Sequence, residues 1–207
     1  MGLYSKYVFP LFMDWSLGSA VVSAQRDKAL SEAKGDVLEI GFGTGLNLSH
    51  YPDSVTKLSV LDVENAGLAR IKERIARAKM PIEQFHLDAS NRLPFADNQF
   101  DTVVSTFTLC SIRDLSPALA EIRRVLKPDG RYLFFEHGRS DEPSVAKTQD
   151  RFNPIQKIIG AGCNINRPID KLVSDSGMNI IAMDRFCLAD VPRIMGEMYR
   201  GIASPNK

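Results

Sequence analysis

The pattern of hydrophobic and polar positions changes period repeatedly along the chain. Short, mostly apolar runs typical of buried strands occur at 36–40, 57–61, 82–87, 100–105, 131–135, 179–186 and 197–203. Apolar residues spaced three or four positions apart predict helices over 64–78, 116–126 and 168–176. Strands that alternate with helices predict an α/β fold, in which a doubly wound, mostly parallel, seven-stranded sheet carries helices on both faces.

Local signals predict where two of these helices begin or end. Ser116 and Pro117 are typical of an N-cap followed by the first turn of a helix, and Gly177 is typical of a helix end. Right-handed crossovers bring the carboxyl ends of parallel strands to one edge of the sheet, where such sheets bind ligands. We therefore expect the functional residues to follow the strands directly.

A glycine loop follows the first predicted strand. Glycines at 41, 43 and 45 allow the backbone to turn tightly and to approach a ligand that a side chain would exclude. A dinucleotide-binding fingerprint needs a glycine where Leu46 stands, and the Gly-Lys-Ser/Thr triplet of a P-loop is absent. Glu39, just before the loop, would repel a pyrophosphate but suits an ammonium group, so the loop favours a ligand that bears positive charge.

An acidic residue follows each of the next two predicted strands. Asp62 is placed to accept hydrogen bonds from both hydroxyls of a ribose, with Glu64 as a nearby competitor. Asp88 could accept from an adenine amino group while the backbone N–H of Ala89 serves a ring nitrogen. The alternatives are structural, since Asp62 could cap a helix and Asp88 could lie in an ordinary surface turn.

Composition excludes several classes of partner. Twenty-six basic residues against 25 acidic ones leave a net charge of +1, so no bulk field favours nucleic acid. Three cysteines, at 110, 163 and 187, are odd in number and far apart, which argues against a disulfide framework or a paired-cysteine zinc site and favours a reducing cytoplasm. The apolar stretch over 7–22 is short and interrupted by Pro10, Asp14 and Gly18, so we expect no stable membrane insertion.

These motifs, taken together, resemble a known family. The spacing Glu-x-Gly-x-Gly-x-Gly over 39–45, the acids at 62 and 88, and the segments 93–95, 100–105 and 125–131 are similar to the class I S-adenosylmethionine-dependent methyltransferases. The likeness is strongest to the ubiquinone/menaquinone methyltransferase branch (type 11) and covers about residues 35 to 137. It implies a Rossmann-like sheet, a methyltransferase activity and S-adenosyl-L-methionine as cofactor.

The resemblance also implies which residues hold that cofactor. The glycine loop would line its methionine part, Asp62 its ribose, Asp88 with Ala89 its adenine, and the residues after the fourth strand its sulfonium side. The complete predicted site consists of Glu39, Gly41, Phe42, Gly43, Gly45, Asn47, Asp62, Val63, Asp88, Ala89, Ser105 and Thr106. No metal is predicted, and the catalytic residue is left unassigned.

Further segments resemble a narrower group. Residues 136–138, 150–151 and 162–167 are similar to the methyltransferase-like thiol methyltransferases and related small bacterial proteins. This favours a thiol acceptor, while nitrogen and carbon acceptors stay open. His137, after the fifth strand, could act as a general base or only bond its neighbours. Cys163 is not needed as a nucleophile, because transfer from a sulfonium requires no covalent enzyme intermediate.

The prediction is therefore a single domain over 1–207, with a cap segment at 1–34, a cofactor-binding core at 35–137, a cap insertion at 138–167 and a C-terminal helix and strands at 168–207. Its function would be methyl transfer to a small-molecule or lipid-like acceptor in the cytoplasm, with peripheral membrane contact left open. A non-catalytic cofactor-binding protein is the main alternative, ahead of a nicotinamide-dependent oxidoreductase. Aromatic residues at 9, 12 and 15 could form a lid, a part of the core or a membrane contact. The sequence makes no prediction of oligomeric state.

Overall fold

Seven strands form one sheet in the computed structural model, which describes Asp14 and residues 16–63, 69–189 and 191–205. The order across the sheet is β3-β2-β1-β4-β5-β7-β6. The first five strands in the chain pair in parallel, and β7 runs antiparallel to both of its neighbours. The strands are β1 Gly35–Ile40, β2 Val55–Asp62, β3 Ile82–His86, β4 Phe100–Thr106, β5 Leu126–His137, β6 Met178–Cys187 and β7 Glu197–Pro205. The predicted seven-stranded, mostly parallel sheet is confirmed.

The helices agree with the sequence prediction less closely than the strands do. The described helices are α1 Ala20–Leu30, α2 Ala69–Ala76, α3 Leu115–Val125, α4 Pro143–Ile159, α5 Ile169–Asp175 and α6 Arg193–Gly196, with a 3-10 helix at Leu46–Ser49. The prediction of Ser116 as N-cap is wrong, because α3 begins at Leu115 with Asp114 as its N-cap residue. Pro117 still lies in the first turn, where the missing N–H removes no intrahelical hydrogen bond. Both α1 and α4 went unpredicted.

The sheet separates two hydrophobic layers. On one face, Leu38 of β1 packs in a buried cluster that includes Leu119 of α3 and Val173 of α5. On the other face, Val37 belongs to a second cluster, which includes Leu30 of α1 and Ile71 of α2. Neighbouring residues of a strand point to opposite faces, so β1 supplies both layers. Helices therefore cover both faces of the sheet, as predicted.

This topology creates a crevice at the carboxyl edge of the sheet. Strand β1 pairs with β2 on one side and with β4 on the other, so the strand order reverses at β1. The loops that leave β1 and β4 diverge at such a reversal, which is where open α/β sheets bind ligands. Within the described part of the chain, no helix is both long and apolar enough to cross a membrane.

Candidate functional site

A cavity of about 830 Å³ occupies this crevice, and most of the predicted site residues line it. Its size is in the range of pockets that hold small organic ligands. The residues that were predicted and that line it are Glu39, Gly41, Phe42, Gly43, Asn47, Asp62, Val63, Asp88, Ala89 and Thr106. Gly45 and Ser105 do not line it. The far wall comes from the predicted insertion, through Ala161, Gly162, Asn164 and Arg167.

In the loop after β1, Gly41 and Gly43 are required for different physical reasons. Gly41 has a φ of 76°, and a Cβ atom there would lie 2.2 Å from Thr108 Oγ1, so neither the conformation nor the space admits a side chain. Gly43 has a φ of 55°, but a Cβ atom there would meet nothing within 4 Å. Gly43 thus leaves open space at the cavity wall, and its N–H donates to Asp62 Oδ2 at 2.7 Å.

Glu39 lies at the base of the cavity with its side chain buried. Its Oε1 accepts a hydrogen bond from Asn47 Nδ2 at 2.9 Å, and its Oε2 accepts from the Tyr51 hydroxyl at 2.8 Å. Burial raises the pKa of Glu39 to about 7, although these hydrogen bonds favour the ionised form. The carboxylate therefore organises the floor of the cavity through two neighbouring side chains.

Arg26 is a cavity residue that the sequence analysis missed. Its side chain projects from α1 and is 3% exposed, and its Nη1 donates to Asn47 Oδ1 at 2.5 Å and to Thr106 Oγ1 at 3.0 Å. Burial lowers the pKa of Arg26 to about 10, so the guanidinium stays charged at neutral pH. Its buried Nε atom finds no hydrogen-bond partner among the described residues. A signal existed, because Arg26 falls on the buried helical stripe of Val22, Ala29 and Leu30.

The two acidic residues predicted to recognise a nucleoside both reach the cavity. Asp62 ends β2 and is partly buried, while Asp88 is exposed and its Oδ1 accepts from the backbone N–H of Ser90 at 2.8 Å. That contact is an Asx turn. Asp88 therefore both lines the cavity and stabilises a surface turn, which was the alternative role considered for it. Ala89 is 5% exposed and packs in the core next to it. Glu64, the competitor of Asp62, lies outside the described residues.

Ser105 faces away from the cavity and supports the loop that follows β4. Its hydroxyl donates to Glu136 Oε1 at 2.8 Å and lies 2.7 Å from the Tyr132 hydroxyl. Glu136 Oε2 in turn accepts from the backbone N–H groups of Thr108 at 2.8 Å and Leu109 at 3.1 Å. Burial raises the pKa of Glu136 to about 8. Ser105 therefore contacts the residue that holds the cavity wall, and Thr106 alone of the predicted pair reaches the cavity.

The loop after β4 is fastened from its other side by the segment that follows α4. Arg167 donates from Nη1 to the carbonyl of Leu109 and from Nη2 to the carbonyl of Ile112 at 2.7 Å. The backbone N–H and the side-chain amide of Asn164 both donate to the carbonyl of Cys110, each at 2.9 Å. Four donors from Arg167 and Asn164 thus bind the backbone carbonyls of the loop after β4, while Glu136 accepts from two of its backbone N–H groups. The wall of the cavity is preorganised by these bonds.

A cluster of two thiols and one imidazole lies behind this wall. Cys163 Sγ is 3.0 Å from His137 Nε2, and the ligand atoms of Cys110, His137 and Cys163 all lie within 4.8 Å of one another. The wide spacing of the cysteines along the sequence does not reveal this cluster, because the fold brings Cys110 and Cys163 together from positions 53 residues apart. None of the three lines the cavity. Phe9, Phe12 and Trp15, the predicted lid candidates, lie outside the described residues.

The raised pKa of Glu39 predicts a pH-dependent stability. Between pH 4.5 and 7 the folded chain binds more protons at this site than the unfolded chain, so this group lowers the free energy of unfolding as pH rises through that window and has no further effect above it. The expected loss is on the order of 3 kcal/mol, and Glu39→Gln should remove it. Urea unfolding at pH 5, 6, 7 and 8 measures both proteins, and parallel curves for the two would contradict the assignment.

Comparisons with known proteins find methyltransferases by family model, by sequence and by fold. A family model of methyltransferase domains matches residues 38–134. The thiol S-methyltransferases TMT1B of Rattus norvegicus and Homo sapiens are 34% and 33% identical over 133 and 163 residues, which cover 63% and 76% of this chain. The chain spans 54% and 66% of those proteins, less than two thirds of their length in each case.

One further relative and one solved structure match over more of their length. The phosphatidylethanolamine N-methyltransferase of Cereibacter sphaeroides is 25% identical over 171 residues, which cover 81% of this chain and 83% of that protein. The crystal structure of the N-methyltransferase NodS from Bradyrhizobium japonicum WM9, in complex with S-adenosyl-L-homocysteine, has a TM-score of 0.70 at 16% identity, covering 93% of this chain and 92% of the other. At this identity, the likeness to NodS shows a shared fold alone.

Proposed function

Because the chain belongs to the class I S-adenosylmethionine-dependent methyltransferases, we propose that it transfers the methyl group of S-adenosyl-L-methionine to a small apolar thiol. Different residues of the cavity would hold the cofactor and meet the acceptor. The cofactor supplies a methyl group already activated by its sulfonium. The protein's part is to align the acceptor with it and to exclude water.

The residues around the cavity suit this cofactor. Gly43 leaves space where any other residue would place a Cβ atom, and the buried Nε of Arg26 is a donor without a partner among the described residues. A buried guanidinium suits the carboxylate of an amino-acid group. The partly exposed carboxylate of Asp62 suits vicinal hydroxyls, which donate to a common acceptor. Charge and space at the cavity therefore both fit an amino acid joined to a nucleoside.

Each part of the cofactor is assigned to particular residues. The methionine part lies beside the backbone of Gly41, Phe42 and Gly43, with Glu39 and Asn47 beneath that loop. Arg26 binds the carboxylate of the methionine part. Asp62 with Val63 holds the ribose, and Asp88 with Ala89 holds the adenine. Thr106 lies on the sulfonium side. Gly45 and Ser105 do not contact the cofactor and act through other residues. Gly45 precedes the 3-10 helix that carries Asn47, and Ser105 hydrogen-bonds to Glu136.

The observation that favours a thiol acceptor is the charge of the cavity-lining residues that are not assigned to the cofactor. Three of these are basic, Arg113, Lys157 and Arg167, and one is acidic, Asp114. Excess positive charge lowers the pKa of a bound thiol and disfavours a protonated amine. A thiol is also acidic enough to be partly ionised at neutral pH without a strong base. The similarity to TMT1B over 76% of this chain supports the same choice.

The experiment that tests the function has two stages. Calorimetric titration of the purified chain with S-adenosyl-L-homocysteine should give micromolar binding without any knowledge of the acceptor. An alkyl thiol, and the primary amine and alcohol of the same carbon skeleton, are then compared by release of S-adenosyl-L-homocysteine. We expect turnover of the thiol to exceed that of the amine by about tenfold or more, which corresponds to about 1.4 kcal/mol in the barrier. Preference for the amine would instead place the chain with the N-methyltransferases.

The remaining alternative has its own outcome in this experiment. A chain that binds S-adenosyl-L-homocysteine tightly, yet turns over none of the three acceptors, would fit a non-catalytic cofactor-binding protein. We also propose a reducing compartment such as the cytoplasm, because the three cysteines are odd in number and far apart in the sequence, which argues against a disulfide framework.

A further inference from the structure

Three side chains behind the cavity wall have the composition of a metal site. Cys110 follows β4, His137 ends β5, and Cys163 follows α4, so three separate elements contribute to one cluster. Cys110 is 2% exposed, and His137 and Cys163 are each 9% exposed. We propose that Cys110, His137 and Cys163 bind a thiophilic metal ion, with zinc as the ion whose chemistry fits best.

The donor atoms are already close to the positions that such an ion requires. Zinc binds sulfur at about 2.3 Å and imidazole nitrogen at about 2.0–2.1 Å, so ligand atoms around it stand roughly 3–4 Å apart. Cys163 Sγ and His137 Nε2 are 3.0 Å apart, and no pair among the three donors exceeds 4.8 Å. Side-chain rotations that move these atoms by about 1 Å or less would therefore complete the geometry.

The backbone around the cluster is built to keep these donors together. The carbonyl of Cys110 accepts two hydrogen bonds from Asn164, which fixes the neighbouring Cys163 opposite Cys110. The N–H of Cys163 donates to the carbonyl of Gly160 at 3.0 Å, and a Cβ atom on Gly160 would lie 3.1 Å from the Cβ atom of Cys163. A glycine at 160 thus allows this close approach. A preorganised ligand set lowers the cost of binding an ion.

The donor set selects among metals. Two thiolates and an imidazole are soft and borderline ligands that suit Zn²⁺, whereas Ca²⁺, Mg²⁺ and Mn²⁺ prefer carboxylate and carbonyl oxygens. An iron–sulfur cluster commonly requires four cysteine ligands. Three protein ligands leave one position of a tetrahedral ion for a further ligand. Binding releases the thiol protons to solvent, so the affinity should rise with pH.

The proposed function gives these residues no role, so the two inferences stand separately. None of the three side chains lines the cavity, and methyl transfer from a sulfonium needs no cysteine nucleophile. The cluster nevertheless lies directly behind one wall of the cavity. Cys110 Sγ is 3.4 Å from the hydroxyl oxygen of Ser111, and Ser111, Gly162 and Asn164 all line the cavity. An ion here would fasten together the two segments that form that wall.

The test uses the whole chain, reduced and stripped of metal with a chelator, and titrated with Co²⁺ and then with Zn²⁺. One Co²⁺ per chain should give the thiolate charge-transfer absorption and visible bands of a tetrahedral site, and Zn²⁺ should abolish them by displacement. Cys163→Ser and His137→Gln should weaken binding by about 100-fold or more, because even residues that only contact metal ligands change affinity by 10–100-fold. Cys187→Ser is the matched control, since Cys187 is an exposed free cysteine, and it should bind as the unaltered chain does.

A second measurement covers the case in which a variant fails to fold. In the unaltered chain, alkylation followed by peptide mass analysis should show that Zn²⁺ slows modification of Cys110 and Cys163 but not of Cys187. Titration with S-adenosyl-L-homocysteine checks each variant for an intact cofactor site. Substoichiometric metal in the unaltered chain, or equal affinity in Cys163→Ser, overturns the proposal. So does a Zn²⁺-independent pattern of alkylation.

Discussion

Gly41→Ala is expected to destabilise the fold by about 2–5 kcal/mol, whereas Gly43→Ala should cost only about 1–2 kcal/mol. Both glycines have positive φ angles, so an alanine at either position pays the penalty of a left-handed backbone. Only at Gly41 does the new methyl group also collide, at 2.2 Å from Thr108 Oγ1 and 2.8 Å from Thr108 Cβ. Thr108 is β-branched and stiff, and its hydroxyl donates to the carbonyl of Thr106 at 3.0 Å, so it cannot turn away freely.

Urea unfolding of the two variants beside the unaltered chain measures this difference directly. The cofactor site should respond in the opposite order among chains that fold, because the space beside Gly43 is the space that we assign to the cofactor. Gly43→Ala should therefore weaken S-adenosyl-L-homocysteine binding by about tenfold or more, or at least 1.4 kcal/mol. Equal destabilisation by the two alanines, or unchanged binding in Gly43→Ala, would contradict the respective roles.

Asp62→Asn is expected to weaken S-adenosyl-L-homocysteine binding by about 1–3 kcal/mol, roughly 5- to 150-fold. The carboxylate lies at the cavity and its Oδ2 accepts from the N–H of Gly43 at 2.7 Å. Asparagine keeps one oxygen acceptor, so it can retain the contact with the glycine loop, but it loses the negative charge and the second acceptor that a ribose would use. The loss should therefore appear in affinity more than in stability.

A matched control separates this effect from a general change of charge. Asp53→Asn removes one negative charge from an exposed residue that pairs with Lys79 and does not line the cavity. It should leave the calorimetric affinity unchanged. Titrations of both variants, with urea unfolding to check their stability, decide the matter. An Asp62→Asn chain that binds as tightly as Asp53→Asn would remove Asp62 from the cofactor site.

The sequence is informative about this protein wherever one strand, or one turn, decides the position of a residue. Residues that follow parallel strands meet at one edge of the sheet, and this rule alone predicts that Gly43, Asp62 and Asp88 share one cavity, as they do. The same reasoning predicts that Ser105 and Thr106 both line the cavity, but only Thr106 does so. Adjacent residues of a strand point to opposite faces, so Thr106 reaches the cavity while Ser105 contacts Glu136.

Features that depend on contacts between distant segments were not predictable in this way. Arg26 and Thr106 are 80 positions apart and share a hydrogen bond, and Cys110 and Cys163 are 53 positions apart in one cluster. Helix α4 was missed for a different reason. The residues that it buries are Ala146, Gln149, Asn153 and Gln156, which are mostly polar, while Ile155 and Ile158 are exposed. A search for apolar periodicity cannot find a helix whose buried stripe is made of amides.

The position of β7 between β5 and β6 also constrains the order in which the chain can assemble. Residues of β6 leave the ribosome before those of β7, yet β7 is the strand with which β6 pairs in the described sheet. The five parallel strands can associate during synthesis, but β6 must wait, with its backbone groups unpaired, until residues 197–205 arrive. We expect the two strands to join the sheet together as a hairpin. A nascent chain stalled between residues 188 and 196 should therefore expose the free edge of β5 and be prone to pair with other chains.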